Sequence, residues 1–209
     1  MIVVVDYGAG NIHSVARALA RVGATFVVTG EATTISNAGS IVLPGVGAAA
    51  DTMRSLRKAH VVDPVVAAIA RGVPYLGICM GLQVLFERSE EDDGTQCLGV
   101  LPGTVVRFPT NLAVPHMGWN QVHQTTPTQL MDGISQDTNF YFVHSYYSIP
   151  TVDDHIVATT DYGSPFVSAV QRDNIFATQF HPEKSGDAGL RLYANFVRFS
   201  GQHTSPEFD

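Results

Sequence analysis

Cys79 stands at the centre of Gly77-Ile78-Cys79-Met80-Gly81, after an apolar run over residues 73–78 and before a helical pattern over residues 81–88. A strand that turns this sharply into a helix leaves no room for side chains beside the turn, which explains the two glycines. Such a turn holds its central residue in a strained conformation and pushes that side chain into the open. The N–H groups and positive end of the following helix favour a thiolate and any oxyanion formed beside it. A small cysteine packing a strand end is the alternative, and the paired glycines weigh against it.

A second unit is Gln179-Phe180-His181-Pro182-Glu183. Residues 175–180 read as a strand that Pro182 stops, and side chains two apart on an extended chain face one way. Glu183 can therefore sit beside the His181 imidazole. An ordinary thiol, with a pKa of about 8.5, is little ionised at neutral pH. A paired histidine corrects that, and a carboxylate on its far nitrogen fixes the tautomer. A structural histidine at a strand end is the other reading, and the Cys79 turn in the same chain favours the catalytic one. A third unit is Pro44-Gly45-Val46-Gly47, after a strand over residues 41–43. Bare backbone at a parallel strand's C-terminal end can bind ligand or hold an oxyanion, although glycine-rich loops also arise from turn geometry alone.

Other segments say less. Asp6-Tyr7-Gly8-Ala9-Gly10-Asn11 begins like a dinucleotide fingerprint, but His13 occupies the third glycine position, so nucleotide binding is not expected. Asn11 reads as a helix N-cap. Eight histidines show no zinc spacing, so no metal or cofactor is expected. The lone Trp119, in a segment over residues 115–120 that reads as a loop, is either a partner anchor or a buried ring. The acidic run over residues 90–94 reads as a solvated loop, and Cys97 has no evident role.

These groups need a scaffold. The chain has 209 residues and a net charge of −7, enough for one domain over residues 1–209 with a full core. The lack of a Lys/Arg cluster argues against nucleic acid. Two cysteines argue for a reducing, cytoplasmic setting, and no apolar run is long enough for a membrane span. Strand and helix patterns alternate over the first hundred residues: strands at 2–5, 25–29, 41–43 and 73–78, helices at 11–22, 50–58, 64–71 and 81–88. Shorter strands follow at 103–108, 121–123, 141–147, 156–161, 166–171 and 175–180, then a helix at 187–199 and a frayed polar tail. The expected fold is α/β: an open, mostly parallel sheet with helices on both faces, plus a smaller antiparallel portion.

The three units together resemble the class I (triad) glutamine amidotransferases. Asp6-Tyr7-Gly8-Ala9-Gly10-Asn11, Pro44-Gly45-Val46-Gly47, Pro115-His116-Met117-Gly118-Trp119-Asn120 and Phe142-Val143-His144-Ser145-Tyr146 narrow the resemblance to the glutaminase subunits of imidazole glycerol phosphate synthases. Relatives that serve anthranilate or aminodeoxychorismate carry Pro-Gly-Pro-Gly where this chain has Val46. The resemblance implies glutamine hydrolysis through Cys79, His181 and Glu183, with an oxyanion hole at Met80, Val46 and Gly47. It implies that Gln83, Gly47, Ser145 and Tyr146 grip glutamine. It also implies a 1:1 heterodimer with a (β/α)₈ cyclase subunit, which receives ammonia and makes imidazole glycerol phosphate and AICAR for histidine biosynthesis. Asn11, Trp119, Asn120, Tyr141 and Lys184 match the docking face, and a partner-dependent peptide flip beside Val46 is part of the same picture.

Overall fold

All four side chains of β1 (Ile2–Val5) are fully buried in the computed structural model, which describes residues 1–208. Asp209, the end of the expected domain span, lies outside the described residues. Ile2 and Val4 point into one apolar layer, Val3 and Val5 into another. A continuous β-branched run with no polar face fits a strand covered on both sides. Each such side chain contributes about 1.5–3 kcal/mol on burial.

The chain continues through α1 (Ile12–Arg21), β2 (Phe26–Thr29), α2 (Ala32–Ser36), β3 (Ser40–Gly45), α3 (Ala49–Lys58), α4 (Val62–Ala70), β4 (Tyr75–Cys79) and α5 (Met80–Gln83). Short strands β5 (Arg88–Ser89) and β6 (Thr95–Gln96) precede β7 (Gly103–Arg107), β8 (His116–Gln124), β9 (Thr138–His144), β10 (Tyr146–Pro150), β11 (Ile156–Asp161), β12 (Pro165–Arg172), β13 (Ile175–Thr178) and α6 (Gly186–Phe199). The sheet centre runs β2-β1-β3-β4-β13 and is parallel throughout. From β12 outward it becomes an antiparallel wing through β10 and β7, with β11, β8 and β9 branching from β12. Buried residues of α1 and α6 pack on one face, and those of α2, α3 and α4 on the other. The segments after β1, β3, β4 and β13 all leave the C-terminal ends of parallel strands, where open α/β sheets bind ligands.

Four expectations need correction. The helix after Cys79 spans four residues, not eight. The carbonyls of Val84, Leu85 and Phe86 accept N–H groups from Leu98, Gly99, Val100 and Leu101, so they are not available to a continuing helix. Trp119 lies within β8, not in a loop. The strand expected at 141–147 is two strands broken at Ser145. The tail is docked: Ser205 N–H donates to Val22 O, and Arg191 to the buried Phe208 carbonyl. The short helix α2 had no periodic signal long enough to register.

In the wing, His116 of β8 pairs directly with His144 of β9. Both are buried, and their rings bond, His116 Nδ1 to His144 Nε2, at 3.0 Å. Burial lowers both pKa values, His116 to about 4 and His144 to about 3, the latter against the pull of its bond to the Tyr146 carbonyl and helped by the nearby His116 and His181 rings. The folded pair is therefore neutral, whereas the unfolded chain protonates both near 6.5. Above that pH the pair costs nothing. As pH falls from about 6.5 toward 4 the unfolded state gains two protons, and stability drops by about 1.4 kcal/mol per pH unit for each. Unfolding free energy measured from pH 6.5 to 4.5 should show this slope, and His144→Asn should lose one proton of it; an identical slope in the variant contradicts the neutral pair.

Helix α6 approaches the segment after β13 closely. A Cβ on Gly189 would lie 1.8 Å from the Pro182 carbonyl oxygen. Gly189→Ala should cost about 1–3 kcal/mol of stability despite its better helix propensity, and should lower the melting temperature by several degrees. An unchanged melting temperature would rule out this packing.

Candidate active site

Cys79 ends β4 with φ +55° and ψ −103°, a left-handed conformation that a non-glycine residue adopts only under constraint. Its neighbours supply the constraint. A Cβ on Gly81 would lie 1.9 Å from the Leu43 carbonyl oxygen of β3, and one on Gly77 2.4 Å from the Gly81 carbonyl oxygen. Only glycine lets β3, β4 and α5 meet this closely. Cys79 is 4% exposed, and its side chain opens into a pocket of about 260 Å³. At one turn, α5 lends less dipole than the expected longer helix. What it does supply is the Met80 N–H, which has no acceptor within the helix.

His181 follows β13 and lines the same pocket. Its backbone is tied down at both groups: the N–H donates to Tyr141 O at 2.9 Å, and the carbonyl accepts Ser185 Oγ–H at 2.7 Å. Its Nδ1 lies 2.8 Å from Glu183 Oε1, and both side chains are buried. A carboxylate only accepts, so the neutral ring carries its proton on Nδ1 and turns Nε2 to the pocket. Nε2 has no well-aligned protein partner, and the Cys79 sulfur is the group that acts on it. Burial alone would lower the imidazole pKa. The Cys79 thiolate, as charge and as acceptor, and then Glu183, overcome burial and raise it to about 10. Raised in this way, the ring is suited to hold and pass a proton beside the sulfur. Asn11 does precede α1, but its side chain makes no cap bond; its amide donates to Glu183 Oε1 at 3.4 Å.

The pocket brings together Val46, Gly47, Cys79, Met80, Gln83, Ser145, Tyr146 and His181, every residue expected at the oxyanion hole or the glutamine contacts. Gly45 pairs with Cys79 in the sheet, which lays the Val46–Gly47 backbone alongside the nucleophile. Tyr7, from the segment read as a failed nucleotide loop, donates its hydroxyl to Pro44 O at 2.9 Å and anchors that backbone. Gln83 Nε2 donates to Tyr146 O and to Gln179 Oε1. Sequence reasoning missed Glu91, from the acidic run read as solvated. It lines the pocket, and its Oε2 accepts the Ala49 N–H at 2.7 Å. Burial raises its pKa against the pull of that bond, with Asp92 and Asp51 adding to the rise. Four neighbouring acids in the sequence gave no sign of which would turn inward.

Beside the pocket, Trp119 and Met117 are 59% and 62% exposed on one side of β8. The Trp119 ring meets Tyr141 edge-on, and Lys184 Nζ lies 5.5 Å above the Tyr141 ring. Asn120 points to the other side of β8, where it donates to Asp161 O and contacts His116 Nε2. Among the described residues no cluster of His, Cys, Asp and Glu could hold a metal, and no helix is long and apolar enough to cross a membrane. A carbonyl centre placed in this pocket would meet a sulfur nucleophile, an imidazole proton carrier and backbone N–H donors, the parts needed for acyl transfer.

The glutamine amidotransferase class-I family matches residues 3–198. Solved structures share the fold at low identity: a glutamine amidotransferase (TM-score 0.75, 19% identity, 96% of this chain and 98% of the other) and PurLQS from Thermotoga maritima (TM-score 0.73, 18% identity, 95% and 97%). Among curated relatives, the imidazole glycerol phosphate synthase subunit HisH of Thiobacillus denitrificans is 52% identical over 98% of this chain and 94% of its own length. HisH of Chloroflexus aurantiacus is 52% identical over 96% of each chain, and HisH of Dehalococcoides mccartyi 48% identical over 96% and 98%. With identity near one half along almost the full length, the chain belongs to the class-I glutamine amidotransferase family, and within it to the HisH subunits of imidazole glycerol phosphate synthase.

Proposed function

We propose that the chain is a glutaminase that releases ammonia from glutamine for imidazole glycerol phosphate synthesis in histidine biosynthesis. The observation that carries this reading is a strained Cys79 facing one pocket with a His181–Glu183 pair held at 2.8 Å. In this reading the Cys79 thiolate attacks the side-chain carboxamide carbon of glutamine. The new C–S bond pushes the carbonyl electrons onto oxygen, which the N–H groups of Met80 and the Val46–Gly47 backbone receive. As the intermediate collapses, the C–N bond breaks and His181 Nε2–H protonates the departing nitrogen, giving ammonia and a thioester. His181 then takes a proton from water, which attacks the thioester and frees glutamate and thiolate. Glu183 holds the ring and offsets its charge throughout.

Glutamine's amino-acid end needs an anion for its ammonium group and N–H donors for its carboxylate. Glu91 provides the first, and the bent backbone at Gly47, Ser145 and Tyr146 the second, while Gln83 shapes the floor. Ammonia formed in an open pocket would be lost to water, so a covering subunit is part of the proposal. Trp119, Tyr141, Lys184 and Asn11 form or adjoin one face beside the triad. We assign them to docking of a cyclase subunit as a 1:1 heterodimer. The exposed Val46 peptide is the element whose flip would complete the oxyanion hole on docking.

Glutamate release from glutamine should be low for the chain alone and rise strongly with the cyclase subunit and its nucleotide substrate. Cys79→Ala should remove it, by about 10³-fold or more; glutamate formed equally fast by this variant would defeat the mechanism. Glu91→Gln should raise KM for glutamine about tenfold or more with kcat little changed, the signature of lost ground-state binding. A fall in kcat at constant KM would remove Glu91 from the ammonium site.

A further inference from the structure

The Tyr146 carbonyl oxygen fixes the orientation of the side chains around it. It accepts from two side chains, Gln83 Nε2 at 2.9 Å and His144 Nδ1 at 2.8 Å. A carbonyl can only accept, so each of those atoms must carry hydrogen. On one side, His144 is then protonated on Nδ1 and offers a lone pair on Nε2. His116 must fill it with Nδ1–H, which leaves the His116 Nε2 lone pair for the Asn120 amide at 3.2 Å. On the other side, Gln83 has its NH₂ toward Tyr146, and the same NH₂ donates to Gln179 Oε1 at 3.0 Å. Gln179 is thereby oriented with its own Nε2 toward the Cys79 sulfur, 3.6 Å away. Turning the Gln179 amide over would oppose two NH₂ groups at Gln83 and two sets of lone pairs at the sulfur.

We propose that Gln179 is a further catalytic residue, whose N–H is held against the Cys79 sulfur as a fixed donor that favours the thiolate, and that the Tyr146 carbonyl, held in place by His144 and acting through Gln83, keeps it facing that way. Gln179 is fully buried, with its backbone N–H bonded to Ser168 O at 2.8 Å and its side-chain oxygen held by Gln83 at 3.0 Å, so the amide is shielded from water and restrained. A hydrogen bond to the charged form of an acid stabilises that form, and a donor that needs no reorganisation does so at every turnover. His181 and Gln179 thus act on the same sulfur differently. His181 exchanges a proton with the reacting atoms, whereas Gln179 keeps its own.

The inference rests on the glutaminase reading for its consequence, but its test does not need glutamine. In a Cys97→Ser background, which leaves one thiol, the rate of Cys79 alkylation by iodoacetamide is measured against pH. Gln179→Leu should move the midpoint up by about one unit. Gln179→Glu, which sets a carboxylate against the sulfur, should move it further. In turnover, Gln179→Leu should lower kcat about tenfold with KM for glutamine little changed. His144→Asn, which keeps a donor toward Tyr146 O, should shift the alkylation midpoint less than His144→Leu, which removes it. A Gln179→Leu protein with the parent melting temperature and an unmoved alkylation profile overturns the proposal. If that variant does not fold, equal midpoints for the two His144 variants overturn it. A shifted profile in a chain that releases no glutamate would sink the glutaminase reading and leave the sulfur contact standing.

Discussion

The close approach of three backbones at Gly81 is the constraint from which the rest of the structure follows. Leu43 of β3 sits so near that no Cβ fits, and β4 must pass directly into α5. The cost is a cysteine in the left-handed region, of order 1–3 kcal/mol. The surrounding sheet meets that cost with strands whose side chains are buried on both faces. In return, the sulfur is fixed at the mouth of the parallel sheet beside the β3 loop. The helix dipole matters less than the backbone geometry, because α5 is a single turn.

Three histidines near this pocket show how partners decide charge. His181 is buried yet raised to about 10, because a thiolate and a carboxylate outweigh the burial. His144 and His116 are buried with a carbonyl, an amide and each other as partners, and they fall to about 3 and 4. One mobile proton is therefore confined to the Cys79–His181 pair, while its neighbours have fixed tautomers. A pocket that held several titrating imidazoles would not keep its hydrogen-bond directions through a catalytic cycle. The neutral pair keeps them, at the expense of stability in acid.

The catalytic groups were legible because they sit where backbone geometry and chemistry make the same demand. The glycines around Cys79 and the proline after His181 are required by the turns they occupy. The parallel half was legible from its β-branched runs. The wing was less so. Trp119 reads as a loop residue because Gly118 and Asn120 flank it, yet cross-strand pairing with Tyr141 makes that segment a strand. Ser145 breaks what reads as one strand, because the two strands there belong to different partners. Glu91 and Gln179 were invisible as functional residues. Their roles depend on which way a side chain turns among distant segments, and no local pattern records that. Asn11 shows the same limit: a fitting N-cap by type, it spends its amide on a carboxylate 172 positions away.

The central claim is that the Cys79 sulfur is an activated nucleophile within an amino-acid-sized pocket. The most direct measurement is covalent trapping with a glutamine analogue that carries an electrophilic γ-ketone, followed by peptide mapping. A single adduct on Cys79 is predicted, slowed by excess glutamine. Cys97 should stay unmodified, since burial pushes its thiol up to about 11. Labelling confined to Cys97, or no labelling of Cys79 in the folded protein, would contradict the account.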